Sequence, residues 1–200
     1  MHTSGTSRVV VQYRPDVNHK RPLLQQQSQV DTRATESSTA AMAKRHYIIY
    51  SDESDKKGKY YSNFFGGVML KAEDREEINA ILNSKKLELN LNREIKWEKV
   101  TANYLEKYME FVSLYFSFVS TSRLRVRIMF TQNIHVPQGL TREQIEERYL
   151  RLYYQFYKHA FGIKYCNPNS LDRVYFHIFP DQIPESQQKV GSFKSRVSSI

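Results

Sequence analysis

The chain has 200 residues, enough for one medium domain, and its 40% hydrophobic and 13% aromatic content suits a protein that builds a core. A single cysteine, Cys166, excludes an internal disulfide framework and a thiolate zinc site, and fits a reducing, cytoplasmic setting. The formal charge of +9 permits nucleic-acid binding without establishing it, since 23 Lys/Arg face 18 acids outside residues 1–45.

Residues 1–45 carry seven Lys/Arg against three acids and are rich in Gln, Ser, Thr and Asn without a sustained apolar period. They read as a disordered tail. Val9-Val10-Val11 beside Arg8 is too short for a secretory signal, and no apolar run along the chain spans a bilayer, so no membrane partner is expected. Met42, just ahead of the first strong strand, offers an alternative start that would leave the tail outside the native protein.

From His46 the pattern changes. Tyr47-Ile48-Ile49-Tyr50 is β-branched and aromatic and runs into Ser51-Asp52-Glu53-Ser54, a strand leaving a core. Asp55 to Lys59 supplies a turn. Tyr60 to Phe65 and Val68 to Leu70 form a second strand of a hairpin, interrupted by Gly66-Gly67, where a bulge or a close backbone approach is expected. Glu73 to Leu91 follows as a helix, with its acids in the first turns. Arg93-Glu94-Ile95-Lys96-Trp97 connects it to a second helix, Asn103 to Val119, whose apolar residues recur at helical spacing and predict a well-buried amphipathic element.

Leu124 to Phe130 reads as a strand with Arg125 and Arg127 on one face. Thr141, with Gln144 three residues on, predicts a capping box opening a helix through Ala160. Tyr149, Tyr153, Phe156 and Tyr157 belong to its apolar stripe and read as core. Val174 to Phe179 is a further strand with Asp181 just past its end. Glu185 to Val197 has helical potential and stops without a clear terminal element, as a domain truncated at its C-terminus would. The order β-β-α-α-β-α-β predicts an α/β fold with a mixed sheet flanked by helices over residues 46–200.

Acids at strand ends are the chemical signal. Hard carboxylate oxygens hold Mg²⁺ or Mn²⁺ while leaving positions for water and phosphate. Read alone, Asp52-Glu53 also serves as hairpin punctuation, Glu94 as a surface ion pair with Arg93 or Lys96, and Asp181 beside Pro180 as a turn residue.

The segment Ile49-Tyr50-Ser51-Asp52-Glu53-Ser54, then Phe65-Gly66-Gly67-Val68, then Glu94-Ile95-Lys96-Trp97, resembles the DUF3800 family over roughly residues 46–200. That family is similar to ribonuclease H-like proteins and is regarded as a group of metal-dependent nucleases. The resemblance implies a ribonuclease H-like fold, Mg²⁺ or Mn²⁺ as cofactor, and RNA or DNA as partner. It makes Asp52 the first metal ligand and Glu94 the second, with Asp181 as the best match to a later acid and Glu53 as support. Lys96, beside Glu94, would stabilise charge on a phosphate. A further acid from a later helix is not matched, since only Glu185 follows Asp181. A catalytically incomplete module of the same fold, binding nucleic acid or a protein, is the alternative.

Other residues suggest less. No two histidines stand at helical spacing, so His46, His159 and His177 read as structural or surface groups and a zinc site is not expected. Cys166 has no visible partner for a nucleophilic dyad, and no glycine-rich phosphate loop precedes a lysine.

Overall fold

The computed structural model describes residues 9–13, 44–54, 58–135, 137–166, 173–181, 183 and 186–200. Its centre is a five-stranded mixed sheet made of Val9–Tyr13 (β1), Lys44–Ser54 (β2), Tyr61–Lys71 (β3), Leu124–Gln132 (β4) and Arg173–Pro180 (β5). Their order across the sheet is β1-β5-β2-β3-β4. β2, β3 and β4 form an antiparallel meander, β5 runs parallel to β2 on its other side, and β1 closes that side antiparallel to β5. β2 is therefore central, and its adjacent Ile48 and Ile49 are both buried because each of its faces is covered.

The helices divide between the two faces. Arg75–Glu88 (α1) and Leu105–Ser120 (α2) cover one, where Ile78 and Phe118 pack with Ile48, Leu70 and Leu124. Arg142–Glu146 (α3), Arg148–Gln155 (α4) and Gln187–Ser198 (α5) complete the set. Tyr153, Phe156, Tyr157, Phe193 and Val197 pack against Ile49, Phe65, Phe176 and Ile178 on the opposite face. The expected α/β architecture, a mixed sheet flanked by helices, is what the chain forms. Among the described residues no helix is long and apolar enough to cross a membrane.

Four expectations need correction. Val9–Tyr13, inside the segment read as a disordered tail, is a strand held by β5 in a register of Val9 with Ile178 to Tyr13 with Val174. The β2 strand also begins at Lys44, ahead of His46; residues 1–8 and 14–43 lie outside the described set. β3 runs unbroken through Gly66-Gly67, and the irregularity falls between Ser62 and Phe65 instead. There Asn63 takes the left-handed conformation (φ 51°), which Asn tolerates better than most residues, and its side-chain amide donates to Thr131 Oγ1 at 2.8 Å. Finally, α2 is only shallowly buried: Phe118 is its one buried residue, and Leu105, Met109, Val112 and Phe116 face outward.

The helix expected from Thr141 to Ala160 does open with the capping box of Thr141 and Gln144. It breaks at Glu147 and ends in a π-helical segment, Phe156–Ala160, before Gly162 turns the chain with φ 71°.

Candidate functional site

A strand presents successive side chains to opposite faces, and the end of β2 shows the consequence. Ser51 and Glu53 turn toward α4. The Ser51 hydroxyl lies 2.7 Å from the Tyr157 hydroxyl, and the Tyr153 hydroxyl donates to Glu53 Oε2 at 2.9 Å. Burial pushes the phenols of Tyr149, Tyr153 and Tyr157 well above their ordinary range, and the Glu53 carboxylate adds to the effect. The Tyr149 hydroxyl is buried without a hydrogen-bond partner among the described residues. Glu53, expected among the metal ligands, is thus held by a tyrosine cluster on the face opposite Asp52.

Asp52 turns to the α2 face and is exposed, with Oδ1 accepting the Glu53 backbone N–H at 2.8 Å. Its neighbour across the parallel ladder is set by the pairing of Tyr50 with Phe179 and of Ser51 with Pro180. The Asp181 backbone N–H extends this ladder by donating to the Ser51 carbonyl at 2.8 Å. Asp181 therefore stands beside Asp52, on strands about 4.8 Å apart. The Tyr50 and Phe179 rings stack at 5.4 Å one step deeper on the same face.

Asp52 and Asp181 rim a cleft of about 570 Å³ whose walls include Tyr50, Phe179, Tyr115, Val126 and Ile128. Gly66 and Gly67 form part of it. Gly66, opposite Asp52, leaves open space where a Cβ would stand, whereas a Cβ on Gly67 would come within 2.8 Å of the Tyr50 carbonyl oxygen. The close backbone approach expected at this glycine pair is at Gly67.

Glu94 and Lys96 lie on the connector between α1 and α2. They form an ion pair at 3.0 Å with side chains 75% and 47% exposed, a geometry that contributes little stability. The bond to Glu94 raises the Lys96 ammonium above its ordinary range, with smaller contributions from the charges of Glu98 and Asp52. Glu94 itself lines a different cavity, of about 440 Å³, with Asn90, Arg93, Tyr104 and Tyr108. The structure accordingly brings Asp52 and Asp181 together, turns Glu53 away, and leaves Glu94 and Lys96 paired with each other, with Glu94 beside a separate cavity. Among the described residues no three His, Cys, Asp or Glu side chains group closely enough to hold a metal by themselves. Glu185 lies outside those residues.

Two groupings were missed by reading along the sequence. His46 Nδ1 lies 2.9 Å from His177 Nε2, and the His46 ring stacks on Tyr175 at 4.7 Å. Helical spacing gave no hint of this pair; only parallel pairing of β2 with β5 joins residues 131 positions apart. The Ser51 and Glu53 contacts with α4 were likewise hidden, although the tyrosines are core, as read. His159 Nδ1 lies 3.2 Å from the Tyr165 hydroxyl, and burial raises the Cys166 thiol. Arg125 and Arg127 are both exposed, and Arg127 donates through Nε to the Ala160 carbonyl at 3.0 Å, so it ties β4 to the end of the π segment. No protein-family model, curated protein or solved structure matches this chain.

Proposed function

We propose that the cleft at the ends of β2 and β5 binds Mg²⁺ or Mn²⁺ and cleaves phosphodiester bonds of RNA or DNA, within a ribonuclease H-like sheet. The observation that carries this reading is the placement of Asp52 beside Asp181, on one face, at the ends of two adjacent parallel strands. The resemblance to the DUF3800 family supports it from the sequence.

The donor set fits a magnesium-type ion rather than zinc. Mg²⁺ is commonly held by one or two carboxylates, with water and substrate phosphate completing its shell, whereas a structural zinc site needs four closed ligands. When bound, such an ion supplies Lewis acidity toward a phosphoryl oxygen and toward water. Asp52 and Asp181 would hold it at the cleft rim. By the resemblance, Lys96 would steady a phosphate, and Glu94 orients Lys96 through their ion pair. The open space at Gly66 leaves room for a phosphate backbone to approach.

A second reading is a non-catalytic module of the same fold that binds nucleic acid or a protein. Its support is that, among the described residues, two carboxylates, Asp52 and Asp181, line the cleft.

Calorimetry with Mn²⁺ on the full chain separates the two. Binding to wild type that is lost in Asp52→Asn and Asp181→Asn but kept in Glu53→Gln is expected. Cleavage of labelled single- and double-stranded RNA and DNA should then fall by at least about 100-fold in Asp52→Asn. Cleavage that survives intact in that variant would sink the catalytic assignment. Nucleic-acid binding that persists in chelator, with no cleavage, would favour the module.

A further inference from the structure

Helix α2 packs inward through Leu114, Tyr115, Phe118 and Val119, yet it carries a second apolar stripe pointing to solvent. Leu105 is 46% exposed, Met109 60%, Val112 40% and Phe116 56%. Their spacings are four, three and four residues, the period of a coiled-coil seam rather than the broader stripe of a helix lying on a sheet. A seam of that period fits another helix. The apolar surface continues past it, because Phe116 meets the Tyr115 ring edge-on at 5.7 Å and Tyr115 shares a cleft wall with Ile128, 66% exposed on edge strand β4.

The charges beside the seam narrow the partner. One flank of the seam holds Glu106, Ser113, Ser117 and Ser120 and the other Tyr108 and Tyr115, and Glu110 is tied to Lys85 of α1. A membrane-surface or nucleic-acid face would carry Lys or Arg in those places. The seam is instead complementary to itself when reversed. Leu105 then meets Phe116 of the copy and Met109 meets Val112, so large side chains alternate along the pair. Glu106 falls opposite Ser113, which opposes no like charges, and the two helix dipoles run antiparallel.

We infer that α2 is the centre of a two-fold homodimer in which it pairs antiparallel with α2 of a second copy of this chain. The two-fold axis passes between Met109 and Val112, and each seam residue is covered by its counterpart. This reading is independent of the proposed chemistry.

Sedimentation equilibrium of the full chain tests it, with circular dichroism confirming that each variant is folded. Wild type is expected to dimerise, and Val112→Lys and Met109→Glu, each placing a charge against the apolar seam, should each weaken the dimer at least about tenfold, roughly 1.4 kcal/mol. The double variant M109E/V112K should regain the dimer, because across the antiparallel axis each new carboxylate faces a new ammonium. A wild type that stays monomeric at high concentration, a dimer indifferent to both single substitutions, or a double variant that fails to regain pairing would each overturn the antiparallel dimer.

Discussion

The three tyrosines around Glu53, two of them fully buried, show how one residue step decides chemistry. Asp52 and Glu53 are adjacent and carry the same group, but the strand sends one to an open cleft and the other into contact with Tyr153. The sequence identified the acids by type and position, and it identified Tyr153, Phe156 and Tyr157 as core. It did not say which acid shares a face with Asp181, because that depends on strand phase and on the partner strand. The same cluster makes a pH prediction. Burial raises the phenol pKa values of Tyr149, Tyr153 and Tyr157 in the folded chain above those of the unfolded chain. The neutral phenols therefore contribute stability that is fully present below about pH 10 and is lost as pH rises beyond it, by up to about 1.4 kcal/mol per pH unit for each tyrosine. Chemical denaturation between neutral and strongly alkaline pH, with phenolate absorbance followed in parallel, should show these tyrosines ionising only as the protein unfolds. Phenolate formation in the still-folded chain would contradict this.

Among the elements, local signals were strongest where a few residues close their own hydrogen bonds. The Thr141 hydroxyl accepts the Gln144 backbone N–H at 3.2 Å, and the Gln144 side chain accepts the Thr141 N–H at 3.0 Å, as the spacing predicts. Thr141→Ala should cost about 1 kcal/mol, seen as a melting temperature lower by about 2–4 °C in scanning calorimetry. A melting temperature unchanged within error would mean that α3 contributes nothing to the cooperative unit. Amphipathic period was a poorer guide to burial. It located α2 correctly yet predicted a well-covered helix, because period reports which residues share a face and not whether anything lies against that face. The break of the third helical pattern at Glu147, and its π-helical end, were equally invisible, since apolar spacing carries on through both.

At the scale of the molecule, β1 changes the extent of the fold. A short Val-rich run in a polar segment reads as tail, and it becomes a strand only because β5 otherwise presents an open edge. A chain starting at Met42 is therefore expected to melt lower than the full chain, by about 2–4 °C for each kcal/mol of β1 pairing lost, and to aggregate more readily. Equal melting curves for the two chains would show that this pairing adds no stability. Turn residues, apolar alternation and helical spacing are properties of short stretches, so the sequence by itself determined the α/β class, most of the element order, the capping box and the acids worth testing. Only the tertiary structure decided that Asp181 stands beside Asp52, that Glu53 turns away, that His46 meets His177, and that the α2 seam is left uncovered. Each of these depends on pairing between segments distant in the chain, where a shift of one residue exchanges the faces of a strand.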